Sequence, residues 1–224
     1  MKVVVSILGG GIGLRFGKEQ PKQFEKIKGK TILEHSVAAF ENHPQVDEIV
    51  VVMHEDYIEF SKKLLNGFSK VKGVISGGKT RSMSSFAGIS FFESCPDETK
   101  ILIHDAARPF VSQTIITNVI KSLDRHNSVN VATAVSDTAI LVDDSGKIKE
   151  IPERNLLKLV QTPQGFKLGT IKKAYKLAFE NPDFTATDDC GIVFNYLKNE
   201  EIFIVEGEKE NIKITTKSDL SKYV

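Results

Sequence analysis

The chain alternates between short apolar runs and longer stretches in which apolar residues recur every three or four positions. The short runs predict buried strands at residues 3–8, 48–53, 71–75, 100–104 and 130–135. The periodic stretches predict helices at residues 32–40, 55–66, 84–92 and 113–125. Thr31 and Glu34 predict a capping box at the start of the first of these helices. Because strands and helices follow one another almost without gaps, we predict an α/β fold with a mostly parallel sheet and helices on both faces.

Residues 136–160 interrupt this alternation. Two apolar runs on either side of an Asp-Asp-Ser-Gly turn at residues 143–146 predict a β-hairpin. An isolated hairpin is only marginally stable in water, so its apolar residues need a cover. A partner subunit would supply that cover and make the hairpin a dimerisation arm; the alternative is a hairpin that lies on its own domain.

The last third of the chain is less regular. Residues 161–166 form a segment punctuated by proline and glycine, and a strand is expected at residues 202–205. The apolar pattern at residues 211–216 predicts a further strand, which carries Lys213. If this lysine points inward it needs a partner, which could be a phosphate or an internal carboxylate; otherwise its face of the strand is in water.

Composition narrows the possible functions. The 224 residues suit one domain over residues 1–224 with a substantial core. A formal charge of +1 from 30 basic and 29 acidic residues makes neither nucleic acid nor a membrane surface an expected partner. Two distant cysteines argue against a disulfide or zinc framework, and no apolar run reaches about 18 residues. Since the first residues predict a strand and not a signal peptide, we expect a cytoplasmic protein.

A glycine-rich loop follows the first predicted strand. It contains Gly9, Gly10, Gly11, Gly13, Arg15 and Lys22. Glycine lets backbone N–H groups approach a phosphate without a Cβ in the way, and the two cations add positive charge. A nucleotide triphosphate is therefore the favoured ligand. A dinucleotide with Glu34 on its ribose and a simple tight turn are the alternatives.

Three further polar clusters, at residues 77–84, 105–108 and 211–216, follow predicted strands. Ligands of open parallel sheets bind beyond the carboxyl ends of the strands, so these clusters and the glycine loop should share one site. Asp105 could hold Mg²⁺ and Arg108 a phosphate, or the two could form a local ion pair. The five histidines show no metal-ligand spacing, and we expect no catalytic or metal role for them.

Five motifs occur in order along nearly the whole chain: the glycine loop with Arg15 and Pro21-Lys22-Gln23, His-Asp-Ala-Ala-Arg-Pro at residues 104–109, Gln-Thr-Pro-Gln at 161–164, Thr187-Asp188, and Asn-Ile-Lys-Ile-Thr at 211–215. Together they resemble the 2-C-methyl-D-erythritol 4-phosphate cytidylyltransferase family and its close relatives, the ribitol 5-phosphate cytidylyltransferases.

The resemblance implies a Rossmann-like nucleotidyltransferase that uses CTP and Mg²⁺, transfers CMP to a polyol phosphate and releases pyrophosphate. It also implies a homodimer in which the arm at residues 136–160 reaches over the partner subunit. Two rival functions remain. One is an NAD-dependent oxidoreductase, based on Gly11-x-Gly13 and Glu34; the other is a non-catalytic dimeric module that binds a nucleotide for regulation.

Roles for individual residues follow from the resemblance alone. It implies that three cations act on the reacting phosphates: Arg15, Lys22 and Lys213. It implies nucleotide contacts from Leu8, Gly9, Gly10, Gly11, Gly13, Gly77, Gly78, Arg81, Ser84, Asp105 and Ala107, with Asp105 also close to the metal. The polyol phosphate would be bound by Arg108, Thr138, Arg154 and Thr187, with Thr138 and Arg154 reaching in from the arm of the partner subunit.

The chain departs from the family pattern at positions that affect the choice of acceptor. Gly10 stands where the methylerythritol enzymes commonly have alanine, and residues 166–169 also look like the ribitol branch. Ala107 and Arg154-Asn155 look like the methylerythritol branch. We therefore expect methylerythritol 4-phosphate as the acceptor, for isoprenoid precursor synthesis, with ribitol 5-phosphate and a surface polymer as the alternative.

Overall fold

The computed structural model describes residues 1–11, 21–221 and 223. Its strands are β1 (Val3–Leu8), β2 (Lys26–Ile27), β3 (Lys30–Thr31), β4 (Glu48–Met53), β5 (Val71–Ser76), β6 (Lys100–Asp105), β7 (Ser128–Ala134), β8 (Leu141–Val142), β9 (Ile148–Glu150), β10 (Lys158–Val160), β11 (Gln164–Lys167) and β12 (Ile202–Glu206). Its α-helices are α1 (Ile32–Glu41), α2 (Ile58–Leu64), α3 (Arg81–Phe91), α4 (Gln113–Ser122), α5 (Leu168–Phe179), α6 (Asp189–Tyr196) and α7 (Lys217–Ser221). Short 3-10 helices cover Lys22–Phe24, Glu55–Tyr57 and Arg154–Leu156.

Within the described residues, eight strands form one sheet in the order β10-β7-β11-β6-β1-β4-β5, with β12 paired to β7. Strand β1 runs parallel to β4 and β6, and β4 runs parallel to β5. Strands β10 and β11 run antiparallel to their neighbours. Leu8 lies opposite both Val52 and Asp105, so the carboxyl ends of the central strands meet at one edge of the sheet. The predicted α/β fold with a mostly parallel sheet is confirmed.

Strand β1 is apolar along most of its length because both of its faces are covered. Val3, Val5 and Ile7 pack into the core formed with α1 and α4, while Val4 packs on the other face with α3, α5 and α6. All four side chains are at most 3% exposed. A continuous apolar run of this kind is typical of a parallel strand between two helical layers.

Helix α1 begins with the capping box that the sequence predicts. The Thr31 hydroxyl accepts the Glu34 N–H at 3.1 Å, and the Glu34 carboxylate accepts the Thr31 N–H at 2.7 Å. The Glu34 carboxylate, which would have to bind the ribose in a dinucleotide site, is thus engaged in capping the helix.

No helix in the described part of the chain is long and apolar enough to cross a membrane.

The last third of the chain departs from two predictions. Residues 164–167 form strand β11, which is buried along its whole length and lies between β6 and β7. Residues 211–216 contain no strand; they form a loop in which the Ile214 N–H donates to the Ala107 carbonyl at 2.8 Å. Lys213 is therefore placed by a loop anchored on the 105–108 turn and not by a strand.

The hairpin predicted within residues 136–160 is present as β8 paired with β9. These two strands form their own small sheet, separate from the eight-stranded one. Its apolar side chains are between 47% and 62% exposed, namely Ile140, Leu141, Val142, Ile148 and Ile151. The alternative in which the hairpin lies on its own domain does not fit this exposure.

Candidate active site

The floor of the candidate site is the edge at which the central strands end. The Ala106 N–H donates to the Leu8 carbonyl at 3.0 Å, which joins the end of β6 to the end of β1. The Gly9 N–H donates to the Val52 carbonyl at 2.7 Å, and the Gly77 N–H donates to the Met53 carbonyl at the same distance. Three of the polar clusters predicted from the sequence are thus brought together at one edge.

Gln23, for which no role was predicted from the sequence, binds the start of the glycine loop. Gln23 is 3% exposed, and its amide donates to the carbonyls of Gly9, at 2.5 Å, and Gly11, at 3.2 Å. These two bonds hold the backbone at Gly9 and Gly11 from inside the protein. The roles predicted for Gly13 and Arg15 fall on positions outside the described residues.

Ser84, in the first turn of α3, closes the second glycine segment. Its hydroxyl accepts the Gly78 N–H at 3.1 Å and lies 3.0 Å from the Thr80 carbonyl, to which it can donate. A Cβ on Gly77 would lie 2.6 Å from the Ser84 oxygen, so glycine is required by this close approach. The contact explains why Gly77, Gly78 and Ser84 form one compact wall of the site.

Asp105, at the centre of the site, forms ion pairs with two cationic side chains. Its side chain lies 2.7 Å from Lys213 Nζ and 3.5 Å from the Arg81 guanidinium. Burial alone would raise the pKa of the Asp105 carboxyl, but the charges of Arg81 and Lys213 outweigh burial and hold the pKa well below its usual range. Asp105 is therefore a permanent anion, and the alternative in which an internal carboxylate pairs with Lys213 is the one observed.

Lys22 reaches the same place from the other side. Its ammonium donates to the Ile214 carbonyl at 2.6 Å, one residue beyond Lys213. Two predicted catalytic cations, which lie 191 positions apart in the sequence, are thus held against the same short loop. This convergence is what a site for a triphosphate requires, because several fixed positive charges must face one polyanion.

Arg81 connects Asp105 to a second buried carboxylate. It lies 2.8 Å from Asp189, which is fully buried at the start of α6. Asp189 also accepts hydrogen bonds from Ser85, at 2.5 Å, and Tyr175, at 2.7 Å. No local pattern in the sequence distinguishes Ser85, Tyr175 and Asp189 from ordinary surface or core positions, so they could not be selected from the sequence. Arg81 acts as a bridge between strand end and helix, behind the site.

Arg108 does not form the local ion pair with Asp105 that was one alternative from the sequence. Its guanidinium donates to the main-chain carbonyls of Asn211, at 2.7 Å, and Val160, at 3.3 Å. Its Nε has no partner among the described residues although it is buried. The hydrogen-bonding capacity of this cation is therefore not exhausted by the described residues, which suits the predicted contact with a polyol phosphate.

Gln164, on the unpredicted strand β11, fixes the start of α6, next to Thr187. Its amide group donates to Asn130 at 3.1 Å and to Asp188 at 2.7 Å, and its carbonyl accepts the Asp189 N–H at 3.0 Å. Asp188 in turn caps α6 by accepting the Gly191 N–H. Thr187, the predicted acceptor residue, is exposed just before this fixed helix start.

The two site residues predicted on the arm do not join the others. Thr138 and Arg154 are both exposed, and the described hydrogen bond of Arg154 is to the Ser136 carbonyl at 3.2 Å, within the arm itself. The chain therefore brings together those described residues that were predicted to bind the nucleotide and Arg108, and it leaves Thr138 and Arg154 on the arm.

The residues present fit a divalent cation held by a single protein ligand. The described residues contain no group of three His, Cys, Asp or Glu side chains that could enclose a metal ion. Asp105 is an ionised carboxylate at the strand ends, and Mg²⁺ is commonly bound through one or two carboxylates together with substrate phosphates and water. An all-protein metal centre is not what this geometry offers.

Comparison with known proteins places this chain in a family. A family model for 2-C-methyl-D-erythritol 4-phosphate cytidylyltransferase matches residues 3–223. A protein of that name from Thermobifida fusca is 45% identical over 226 residues, covering 98% of this chain and 91% of the relative. A ribitol-5-phosphate cytidylyltransferase from Streptococcus agalactiae serotype III is 36% identical, covering 95% of this chain and 90% of the relative.

Solved structures agree with these sequence matches. The crystal structure of 4-diphosphocytidyl-2C-methyl-D-erythritol synthase from Anaerococcus prevotii superposes with a TM-score of 0.86 at 27% identity, covering 99% of this chain and 96% of that one. The 2-C-methyl-D-erythritol 4-phosphate cytidylyltransferase of Francisella tularensis gives 0.83 at 29% identity, covering 99% and 98%. The chain belongs to the 2-C-methyl-D-erythritol 4-phosphate cytidylyltransferase family.

Proposed function

We propose that the protein transfers CMP from CTP to 2-C-methyl-D-erythritol 4-phosphate and releases pyrophosphate. Family membership supports the cytidylyltransferase reaction, and the convergence of Lys22, Lys213, Arg81 and Arg108 at the strand ends supports its phosphate chemistry. The single observation that carries the proposal is that Lys22 and Lys213 are held against one loop beside the anionic Asp105.

The arrangement can act on the reaction by position and charge. A phosphate oxygen of the acceptor attacks the α-phosphorus of CTP in line with the leaving pyrophosphate, and no covalent intermediate with the protein is needed. Lys22 and Lys213 lie where they would neutralise charge on the α-phosphate and the leaving group. Arg108, whose hydrogen-bonding capacity is not exhausted by the described residues, would hold the acceptor phosphate close to the nucleotide.

Mg²⁺ is proposed as the cofactor, held by Asp105 and by the triphosphate. When bound, the ion would neutralise phosphate charge and screen the two anionic substrates from each other. Lys213 and Arg81 already keep the Asp105 carboxyl ionised, so the ligand is ready at neutral pH. The Asp105→Asn variant should raise the Mg²⁺ concentration needed for half-maximal CTP binding; unchanged metal dependence would contradict this assignment.

The position of the branch-specific residues supports methylerythritol 4-phosphate over ribitol 5-phosphate. Gly10 lies near Ser84, the residue proposed for the base end of CTP, since a Cβ added to Gly10 would lie 3.5 Å from the Ser84 hydroxyl. Phe166 is fully buried, and β11 carries it away from the strand-end edge, opposite Ile101 of β6. The two ribitol-like features thus lie away from Arg108, whereas the methylerythritol-like Ala107 is next to it.

A homodimer is proposed to complete the site. Thr138 and Arg154 are exposed on an arm whose apolar side chains also face solvent. A second copy of the chain would cover those side chains and receive Thr138 and Arg154 beside its own Arg108 and Thr187. Sedimentation of the full chain tests the dimer, and a monomer at all concentrations used in the activity assay would contradict it.

One assay tests the proposed reaction. Pyrophosphate release from CTP is measured with methylerythritol 4-phosphate and ribitol 5-phosphate side by side, and kcat/KM is compared for the two acceptors. We expect the larger kcat/KM for methylerythritol 4-phosphate. A larger value for ribitol 5-phosphate would establish the alternative acceptor, and no release with either would contradict the cytidylyltransferase assignment.

Two broader expectations are also proposals. The single domain over residues 1–224 predicts one cooperative unfolding transition, which calorimetry of the dimer would measure. The cytoplasmic location predicts recovery in the cytosolic fraction after cell lysis, and recovery with the membrane or periplasmic fraction would contradict it.

A further inference from the structure

A closed set of hydrogen bonds surrounds the turn that carries Asp105 and Arg108. The His104 Nε2 lies 3.0 Å from the Arg108 carbonyl, and the Arg108 guanidinium donates to the Asn211 carbonyl at 2.7 Å. The Asn211 amide donates to the Thr162 carbonyl at 2.9 Å, and the Thr162 hydroxyl lies 3.0 Å from His104 Nδ1. The circuit joins three separate parts of the chain at the site edge.

The partners of His104 determine which of its nitrogens carries hydrogen. A carbonyl oxygen can only accept, so Nε2 donates to Arg108. The Thr162 oxygen accepts the Asp105 N–H at 3.1 Å. Because the fully buried ring already carries its hydrogen on Nε2, Nδ1 is the acceptor and receives the Thr162 hydroxyl hydrogen. Each end of the ring thus has a defined task.

We propose that His104 is a positioning residue for both substrates, holding Arg108 through Nε2 and Asp105 through Nδ1 and Thr162. The inference rests on the proposed function, in which Arg108 binds the acceptor phosphate and Asp105 the nucleotide. His104 is fully buried, and its ring packs against Phe40 with 4.9 Å between centroids. His104 contacts neither substrate in this proposal, and it acts through the Arg108 carbonyl and, by way of Thr162, through the Asp105 N–H.

The two ends of the ring can be removed one at a time. Asparagine places a polar atom near the position of Nδ1 and can keep the bond to Thr162, whereas glutamine places its amide near Nε2 and can keep the bond to Arg108. His104→Asn should raise KM for the polyol phosphate about tenfold and change KM for CTP less than about threefold. His104→Gln should show the opposite pattern.

Thr162 provides an independent variant of the same link. Thr162→Val removes the hydroxyl between Asp105 and His104, and we expect about a tenfold increase in KM for CTP, as with His104→Gln. Thr162→Ser keeps the hydroxyl and should restore the wild-type value. A purely packing role for Thr162 predicts the reverse order, because valine preserves the shape and serine removes a methyl group.

The chain offers a matched control for a buried histidine bonded to a threonine. His43 lies in the connection between α1 and β4 and is 2% exposed. Its Nε2 lies 2.9 Å from the hydroxyl of Thr117, which is in α4. His43→Asn, His43→Gln and Thr117→Val should lower the melting temperature without separating the two KM values. If the His104 variants change both KM values equally, or behave as the His43 variants do, the proposal is wrong.

Two readouts separate this inference from the proposed reaction. The affinity for CTP, measured by calorimetry without an acceptor, should fall in His104→Gln and not in His104→Asn. The ¹⁵N signals of the imidazole should show Nε2 protonated and Nδ1 unprotonated at neutral pH. A wild-type protein that releases no pyrophosphate would refute the proposed reaction. A proton on Nδ1, or equal CTP affinity in the two variants, would refute the role of His104.

Discussion

Asp105 and Arg154 belong to two halves of the candidate site that differ in how the chain holds them. Asp105 is 8% exposed and paired with Arg81 and Lys213, and Arg81 is anchored in turn on the fully buried Asp189. Arg154 is exposed, and its described hydrogen bond stays within the arm. The strand-end half is held by contacts within the chain, whereas the described contacts of Arg154 leave its side chain exposed on the arm.

This difference indicates how work is divided in the proposed reaction. Charge neutralisation at the reacting phosphates demands fixed groups, since a group that must reorganise loses much of its effect. The strand-end half supplies such groups. Holding the acceptor tolerates more adjustment, and residues on an exposed arm could provide it in the proposed dimer. Variants in the two halves should therefore fail in different ways.

The largest effect on stability is expected at Asp189. The Asp189→Asn variant removes the nearer of the two carboxylates that pair with the half-buried Arg81, and breaking an ion pair whose carboxylate is fully buried costs about 3 kcal/mol or more. Urea denaturation at neutral pH measures the loss. Glu59→Gln is the control, because the Glu59–Lys62 pair, at 2.7 Å, is exposed and should give no measurable change. Equal stability in the two variants would show that the strand-end half is not held by this chain of charges.

The largest effect on catalysis is expected at Lys213. The Lys213→Ala variant removes a cation proposed to stabilise the transition state, so kcat should fall about 100- to 1000-fold. Stability should change little, because the lysine side chain is 39% exposed. Lys209→Ala, at an exposed position just before the same loop, should retain wild-type kcat. A variant in which KM for the acceptor rises while kcat is kept would assign Lys213 to binding alone.

The pH dependence of stability should reveal the buried His104. The unfolded state binds a proton near pH 6.5, whereas the folded state does so only near a pKa of about 4, so the unfolded state holds more protons between these values. Stability contributed by neutral His104 is complete above pH 6.5, falls by about 3 kcal/mol as the pH drops to 4, and then levels off. His104→Asn should flatten this part of the curve in urea titrations. Asp105 loses its contribution only at lower pH, below its ordinary pKa of 3.8.

A substitution in the arm should weaken binding of the acceptor without lowering the stability of the protein. The Arg154→Ala variant should raise KM for the polyol phosphate about 10- to 100-fold, because one charged hydrogen bond to phosphate is worth about 1.5–3 kcal/mol. KM for CTP and the melting temperature should be unchanged, since the side chain is exposed. An equal rise in both KM values would mean that Arg154 does not serve the acceptor.

Subunit mixing sharpens the same comparison. If Arg154 acts in the partner's site, then Arg154→Ala and Lys213→Ala damage different sites of a mixed dimer. One of its two sites carries both changes and the other carries neither. Random mixing makes half of the dimers mixed. At acceptor concentrations below the wild-type KM, where both variants are nearly inactive, the mixture should therefore recover about a quarter of wild-type activity. No recovery after confirmed subunit exchange would place Arg154 in the site of its own subunit.

The sequence predicts well those features that depend on neighbouring residues. The alternation of apolar runs located the parallel strands, and Thr31 with Glu34 predicted the start of α1. The same local pattern placed Gly77 and Asp105 at strand ends, so their convergence followed from the rule for parallel sheets.

Features that depend on distant partners could not be predicted in this way. Strand β11 is short, begins with a polar residue and contains Gly165, and it is a strand because it fills the gap between β6 and β7. Gln164 and Asp189 matter through partners that the fold brings close, so no spacing in the sequence marks them. Lys213 was placed on a strand because its apolar neighbours alternate, but Ile212 and Ile214 pack against α7 from a loop.

The smallest effect is expected at Gly10. This residue is a ribitol-like feature of the sequence and is an argument against methylerythritol 4-phosphate as the acceptor. A Cβ at this position would have Ser84 Oγ as its nearest neighbour at 3.5 Å, an ordinary van der Waals distance, so alanine fits without displacement. Gly10→Ala should change kcat/KM less than about threefold for either acceptor, because Gly10 borders the nucleotide wall and not Arg108. Gly77→Ala is the matched control: its Cβ would lie 2.6 Å from the same oxygen, so KM for CTP should rise clearly. A Gly10→Ala variant that switched acceptor preference would show that the two halves of the site are coupled through the glycine loop, and the division drawn between them would have to be given up.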